Sequence, residues 1–572
     1  MKKILAMLLA VVMVLGLFTA CGNTTPETTE PKSPEGTNPP ESTPVEDETV
    51  DYVNAPDLSG KTIRILTAES GWTAEGYASL LPKFEQIEEL TGCTIIWEAP
   101  AADWETLLQT RLAGDVSEAP DIIFNGGFKA PASQIEDGYL VAVSDYFDIA
   151  PGIAEWYVNN PNLAKQLTYT DGSIYTIPNC AFTSPEGFAD YWTRNGEHTF
   201  WYRGDIAAEL GFTEIPSTLE ELEALLYAVK AAYPDMVPMA MRNLTGNSWA
   251  AARNFSASFG LHFNFEGGRN FYYPDENGVI QYEFISDEAI LWMETMARWY
   301  KDGLIADTAD WDAYYATPGS GTVFSAFWDG AYAQEELAKQ TDPDAYFLYM
   351  PFVPAEGYEV VYTPRAYTNC STQIVDNGDE ERIEAAIQFL EFAFYSDYGV
   401  YSNQAGVMGE GWDFGENGEF VPNLDYVRSI VNDGVVNRDS GADMWHYMAD
   451  LYDPEVFDIW MDAFDAVYAE NGTSRIPNQA TAESFEAALE YNFAHVAERF
   501  IEFYADEDDQ EILDKYEYEC YKYAALYSAA VIKGEKDLAN VQTELIETLY
   551  NELHLQELID LYQKYYDAYM AG

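Results

Sequence analysis

The 572-residue chain carries 97 acidic against 29 basic residues, a formal net charge of −68. Phosphate binding depends on clustered Lys and Arg, so this balance argues against nucleic acid, polyanionic ligands and polybasic attachment to anionic lipid. With 48% hydrophobic residues a large core is available, and the length suggests roughly two to four folded units.

Lys2 and Lys3 precede an almost wholly apolar run from Ile4 to Ala20. A spanning helix needs about 20 apolar residues, so the run is slightly short. Charge, apolar run and then small residues is the layout of a secretory signal, and residues 1–20 are read as one. The run ends Phe18-Thr19-Ala20-Cys21. This resembles the bacterial lipoprotein box, in which small residues precede a cysteine that receives a diacylglyceryl group and becomes the mature N-terminus. Phe18 stands where Leu is more usual. The resemblance implies that Cys21 is the lipid attachment site, carrying palmitate-type chains, since two acyl chains at one site suffice for stable anchoring. An ordinary signal with a chance cysteine, or an uncleaved anchor, is the alternative. Residues 21–58 hold the lipidated cysteine and a Thr/Pro/Glu/Ser linker with almost no large apolar side chain. Such a stretch cannot bury enough surface to offset its ordering entropy, and its prolines and like charges favour an extended tether. No later segment reads as a membrane span, so the rest is expected at the extracellular face.

From Thr62 the pattern changes. Thr62 to Thr67 reads as a strand, and Leu81 to Gly92 as a helix with Phe84, Ile87 and Leu90 on one stripe and Gly92 as its stop. CTIIWEAP is a second strand. DWETLLQTRLAGD is a second helix, with Asp103 as N-cap and Gly114 past its end. APDIIFNGG is a third strand. Strand and helix alternating at this spacing mean a parallel α/β sheet, and ligands of such sheets collect beyond the carboxyl ends of the strands. Residues just after the strands, Glu69 to Trp72 and Asn125 to Phe128, are therefore of interest. A short strand in DGSIYTIPN follows. Ser217 or Thr218 caps a long helix, with Glu220 and Glu221 suited to its positive end. ILWMETMARWYKDGLI is a helix stopped at Gly303, FSAFWDGAY a strand entering a turn, and Glu380 to Tyr398 a further helix. From Ala482 onward the chain reads mostly as amphipathic helix, rich in Tyr and Glu.

Beside Cys21 stand Cys93, Cys180, Cys370 and Cys520. None shows CxxC spacing, so neither a zinc site nor a redox pair is indicated; isolated buried thiols are expected over disulfides, which export permits. The five histidines, His198, His262, His446, His495 and His554, lack metal-ligand spacing. There is no GxSxG, HExxH, GxGxxG or P-loop signature.

FEQIEELTG, LAGDVSEAPDII, DGSIYTIPN, FWYRGDIAAELGF with PSTLEELEALL, YKDGLIAD and the glycine-rich GVMGEGWDFGENGEF occur in an order similar to family 1 extracellular solute-binding proteins. These are lipoprotein receptors of ABC-type sugar importers in Gram-positive bacteria. The ending LQELIDLYQKYYDAYMAG resembles the larger, oligosaccharide-type members. The resemblance spans roughly residues 59–572 and implies an α/β, two-lobed, periplasmic-binding-protein-like (type II) clamp. Its lobes are discontinuous, with hinge segments and a helical C-terminal part, and it closes by hinge bending. Lobe 1 is expected near 59–180 plus 320–375, and lobe 2 in 181–319 plus 376–572. The implied function is capture of a carbohydrate for permease subunits, by a monomer that is not an enzyme and needs no cofactor. An exported glycoside hydrolase, with two carboxylates around the scissile bond, is the alternative, and a glycan-binding adhesin a third reading. Some oligosaccharide receptors of this type carry calcium, but PDENGVIQYEF fails the EF-hand spacing. With Gly278 at loop position six, Tyr273 falls at one and Phe284 at twelve. No metal is expected.

Sugars present flat C–H faces that aromatic rings cover and hydroxyls that need polar partners. Among 14 Trp, those in loops beside polar residues are candidates: Trp72 in SGW, Trp249 in TGNSW, Trp328 in FWDG and Trp412 in GEGWDF. Asn125 and Asp329 are candidates to bond hydroxyls, against a reading as turn and capping residues. Arg203 in WYRGD is a candidate for a hydroxyl or a uronate, against a salt bridge to one of the many acids. Trp192 and Trp201 are weaker candidates, Trp104 is ambiguous, and Trp292 and Trp299, on a helix, are assigned to packing.

Overall fold

The computed structural model describes residues 51–67, 81–99, 104–114, 119–124, 130–178, 181–182, 200–242, 251–262, 271–308, 321–327, 338–340, 342–362, 371–442, 451–476, 478–497 and 501–571. The local signals read above form as expected. Helix Pro82–Thr91 buries Phe84 and Ile87 and ends at Gly92, whose left-handed φ of 73° lets its N–H reach the Glu88 carbonyl. Helix Leu219–Ala232 is capped by Thr218, whose hydroxyl accepts from the Glu221 amide at 3.2 Å. Glu221 reaches back to the Ser217 amide at 2.7 Å, a capping box displaced by one residue. Helix Asp287–Lys301 buries Trp292 and Trp299 completely, as packing residues.

Among the described residues, ten short strands form two five-stranded sheets. In chain order they are β1 (Thr62–Leu66), β2 (Thr94–Glu98), β3 (Ile122–Ile123), β4 (Ile177–Pro178), β5 (Phe200–Arg203), β6 (Val237–Arg242), β7 (Ile305–Thr308), β8 (Val323–Phe327), β9 (Phe347–Met350) and β10 (Ser371–Ile374). The first sheet has the order β2-β1-β3-β10-β4, with β1 parallel to both β2 and β3. The second has the order β7-β6-β8-β5-β9, with β6 parallel to β7 and β8. Each sheet also takes one reversed strand: β10 runs against β3 and β4, and β5 against β8 and β9. The expected parallel sheet is thus present, and duplicated, with an antiparallel insertion in each copy.

Each sheet has its own core. The first gathers Ile63, Ile65, Phe84, Ile122, Phe124 and Ile177 with Ile374 and the segment from Ile383 to Val467. The second gathers Phe200, Leu222, Met239, Trp292, Trp299 and Phe324 with Leu513, Cys520, Leu549 and Leu558. The fold is α/β and two-lobed, but the expected boundaries need correcting. Strands β8 and β9, between residues 320 and 350, belong to the second sheet, and β10 alone returns to the first. Residues 383–467, expected in lobe 2, pack into the first core. The chain re-enters the second lobe with helix Gln479–Ala494, where the Thr481 hydroxyl donates to the Phe347 carbonyl at 2.7 Å and Ser484 Oγ accepts from the Tyr349 amide at 3.0 Å. The expected helical C-terminal part is there as Glu507–Ile532 and Leu555–Ala571.

The helix expected over Glu380 to Tyr398 is split. Helix Glu380–Leu390 passes into a five-residue π turn, Glu391–Tyr395, and a new helix, Asp397–Ala405, starts at Ser396. Cys93 and Cys520 are free and buried, as expected for isolated thiols. Burial pushes the Cys520 thiol up to about 12. Cys21, Cys180 and Cys370 lie outside the described residues. No helix among the described residues is long and apolar enough to cross a membrane.

Candidate functional site

Strand direction decides where a ligand edge can be. In the first sheet β1, β2 and β3 run together and end at Leu66, Glu98 and Ile123; in the second, β6, β7 and β8 end at Arg242, Thr308 and Phe327. Each sheet therefore has one carboxyl edge, the place where open α/β sheets receive ligands. Under the first of these edges lies an aromatic layer. The Trp97 ring sits 5.1 Å from Phe84 and 5.8 Å from Phe124, and Phe124 packs edge-on against Phe394 at 5.8 Å.

Of the seven ligand-binding candidates, Trp72, Asn125, Trp249, Trp328 and Asp329 lie outside the described residues, as does the weaker candidate Trp192. In sequence, Trp328 and Asp329 directly follow Phe327 and Asn125 follows Phe124. The other two are described, and both are structural.

Arg203 is corrected first. It closes β5, the reversed strand, and pairs with Phe347, the first residue of β9. The chain reversal therefore carries it to the edge opposite the carboxyl ends. The residue is 3% exposed, its side chain 4%. Nε donates to Asp205 Oδ1 at 2.7 Å, and Nη2 donates to Asp205 Oδ2 at 2.5 Å and Asp342 Oδ2 at 2.6 Å. Burial works against its charge, but the two carboxylates outweigh burial and raise its pKa further. The salt-bridge alternative holds.

Trp412 is corrected likewise. It is 0% exposed, and it opens the hairpin Trp412–Phe414 with Phe420–Pro422. Its indole N–H donates to the Gly406 carbonyl at 3.0 Å. Tyr401 meets it edge-on at 5.3 Å, with Tyr398 at 5.8 Å and Phe420 at 6.1 Å. The neighbouring Gly411 serves this packing, since a Cβ there would stand 1.8 Å from the Ala405 carbonyl oxygen. Trp201 is buried too, edge-on to Phe347 at 4.8 Å.

A side chain that the sequence reading missed does stand at the first carboxyl edge. Tyr504 is buried among Leu66, Ile123, Ala130 and Leu140, and Tyr169 meets it edge-on at 5.0 Å. Burial pushes its phenol up, and a backbone interaction with Ala130 opposes that shift. The one local signal that sets it apart among the 42 tyrosines is its place in the alternating run Ile501 to Ala505.

The first lobe also holds a pocket of about 500 Å³ between Trp156, Tyr395, Tyr401 and Phe420, rimmed by Glu155, Asp397, Glu419, Asp453 and Glu455. Three helix N-termini meet here, and their positive ends account for much of this acid. Asp453 Oδ1 accepts from the amides of Glu455 and Val456 at 2.8 and 3.2 Å. Glu391 accepts from those of Gly152 and Ile153 at 2.7 and 3.0 Å. Burial raises the Glu391 carboxyl, and the two amides pull it back down. The hollow is thus a junction of capped helices.

Among the described residues no group of three or more His, Cys, Asp or Glu is placed to hold a metal ion. His262 Nδ1 lies 2.7 Å from Glu283 Oε1 and its ring stacks on Tyr273 at 4.4 Å.

No family model matches the chain, and no curated protein matches it in sequence. Solved structures do. The alginate-binding protein AlgQ2, crystallised without calcium ion, shares 18% identity over 90% of this chain and 99% of its own, with a TM-score of 0.65. The Streptococcus pneumoniae ABC-transporter substrate-binding protein FusA, in complex with kestose, shares 17% over 89% of this chain and 100% of its own, with a TM-score of 0.63. An HMO-binding, ABC-transporter-associated solute-binding protein from Bifidobacterium longum infantis shares 18% over 89% and 99%, also at 0.63. Two sheets, each with a single carboxyl edge, and likeness over nearly the whole of each of these chains give one conclusion: this chain has the fold of the ABC-transporter solute-binding proteins.

Proposed function

We propose that the protein is an extracellular solute-binding receptor that captures an oligosaccharide and hands it to the permease subunits of an ABC transporter. The observation that carries this reading is the fold likeness, over 89–90% of the chain, to proteins solved as binders of alginate, kestose and HMO. Such a receptor performs no bond chemistry; it works by differential affinity between open and closed arrangements of its lobes. The net charge of −68 favours uncharged sugars over uronates. Neutralisation of Arg203 by Asp205 and Asp342 removes the cation that the sequence offered to a uronate.

The test uses purified protein lacking residues 1–50 in thermal-shift and calorimetric titrations. Kestose and other neutral oligosaccharides are expected to raise Tm, with alginate fragments giving a smaller shift or none. A Tm raised by peptides and by no glycan overturns the sugar assignment, and sustained release of reducing ends replaces the receptor by a glycoside hydrolase. Glycan binding with no loss of uptake on deletion of the partner permease would favour an adhesin.

Anchoring belongs to the same proposal. Cys21, at the end of the apolar run, is assigned the lipid, and residues 22–50 the tether that gives the receptor its reach. The linker expected over 21–58 ends earlier, because Tyr52 stacks on Phe414 at 5.9 Å and Leu58 is buried in the first core. Cys21→Ser is expected to move the protein from the membrane fraction to the medium, read by immunoblot of both. Retention in the membrane would assign the run to an uncleaved anchor instead.

A further inference from the structure

The connections between the strands of the two sheets carry the chain from one lobe to the other, but one further segment touches both lobes at once. Helix Gln479–Ala494 of the second lobe leads to Val496, which bridges Tyr362; the Ala497 amide donates to the Tyr362 carbonyl at 2.8 Å. Residues 501–505 then run without helical structure, and their contacts alternate. Ile501 and Ala505 belong to the second core. Phe503 joins them, stacking on Tyr565 at 4.4 Å and meeting Tyr562 edge-on at 5.2 Å. Between these, the Glu502 amide donates to Gln166 Oε1 of the first lobe at 2.8 Å. Tyr504 is 7% exposed in the first lobe's socket of Leu66, Ile123, Ala130 and Leu140. Leu66 and Ile123 are the last residues of β1 and β3. An extended chain sends successive side chains to opposite faces, so this stretch can serve two lobes at once.

Its far end is fastened as well. Asp506 caps helix Glu507–Ile532, and its own amide donates to the Tyr565 hydroxyl at 2.7 Å. A second contact reaches the same face of the first lobe. Lys165 Nζ donates to the Tyr569 carbonyl and lies 4.2 Å over that ring's centroid. Helix Pro161–Leu167, which carries Lys165 and Gln166, and Tyr169 just beyond it therefore receive both the 501–505 stretch and the end of the last helix.

We propose that residues 501–505 form a two-faced strap between the lobes, with Tyr504 as its anchor beneath the carboxyl edge of the first sheet. Lobe motion must then pivot about this strap or withdraw the Tyr504 ring from its socket. Packed interfaces of this kind switch between discrete arrangements rather than deform continuously. The strap thus limits the range of lobe orientations before any ligand arrives.

The test needs no sugar, so its result is independent of the receptor reading. Spin labels are attached through ketone-bearing residues at Val158 in the first lobe and Val279 in the second, both exposed. Inter-label distances are then measured on the otherwise intact chain. The parent is expected to give one narrow distribution, Tyr504→Ala a distribution at least twice as wide, and Tyr504→Phe, which keeps the ring, the parent's width. An unchanged width for Tyr504→Ala overturns the proposal, as does a Tyr504→Phe variant as broad as Tyr504→Ala. If Tyr504→Ala does not fold, the double variant Lys165→Ala/Gln166→Ala, at the surface, gives the reading: broadening supports the strap, and the parent's width overturns it.

Discussion

Trp412→Ala is expected to destabilise the protein by about 3–5 kcal/mol, the cost of deleting a large buried aromatic side chain, while leaving sugar affinity in the folded fraction within about twofold. The indole is completely buried, and it fills a nest of Tyr398, Tyr401, Phe414 and Phe420 that collapses poorly when emptied. Its N–H also satisfies the Gly406 carbonyl at 3.0 Å. Gly406 cannot readily move to find another partner, because its φ is 74° and a Cβ there would already stand 2.0 Å from Ser440 Oγ. Trp412→Phe separates the two contributions. It keeps most of the ring and leaves the carbonyl unpaired, so about 1–3 kcal/mol should be lost. The measurement is urea unfolding, read as a lower midpoint at unchanged slope. A Trp412→Ala variant as stable as the parent but unable to bind sugar would return Trp412 to the ligand site.

The misreading of Trp412 shows where local pattern stops being informative. GEGWDF looks like an open loop because glycine is common in loops. Here Gly411 allows the backbone to come within contact distance of Ala405, which is a packing role. Helices with a one-face stripe and a cap, such as Pro82–Thr91 and Leu219–Ala232, were legible because stripe, cap and stop are neighbours in sequence. The parallel core β1–β3 was legible for the same reason. Strands β5 and β10 were not: four residues each, they take their direction from partners more than a hundred residues away in the chain. Lobe membership of 323–350 and 383–467 follows from those pairings and was misplaced with them. The strap shows a different failure. Ile501, Phe503 and Ala505 alternate with Glu502 and Tyr504, a period-two signal inside a region read mostly as helix. Five of the seven candidate ligand residues lie outside the described residues, so their assignment rests on their place in the sequence after the strands.

Arg203 carries the second large effect, and it separates a structural cation from a ligand-binding one. Arg203→Met is expected to cost about 2–4 kcal/mol, somewhat below the usual penalty for breaking a buried pair. The reduction follows from the partners' exposure: Asp205 is mostly buried, with its side chain 19% exposed, but Asp342, at 46%, keeps much of its water. The loss arises from the charge left behind, not from the missing attraction. Adding Asp205→Asn to Arg203→Met should therefore restore at least half of the lost stability, whereas Asp342→Asn should restore little. Additivity of the two substitutions, with no coupling in the cycle, would dismiss the ion pair as a source of stability. Sugar titration of the same variants gives the other half of the argument. Arg203 ends a strand that runs against its neighbours, at the edge away from the carboxyl ends, so affinity for neutral oligosaccharides should be retained once the fold is restored. If Arg203→Met/Asp205→Asn were stable yet no longer bound sugar, the carboxyl-edge assignment of the site would fall with it.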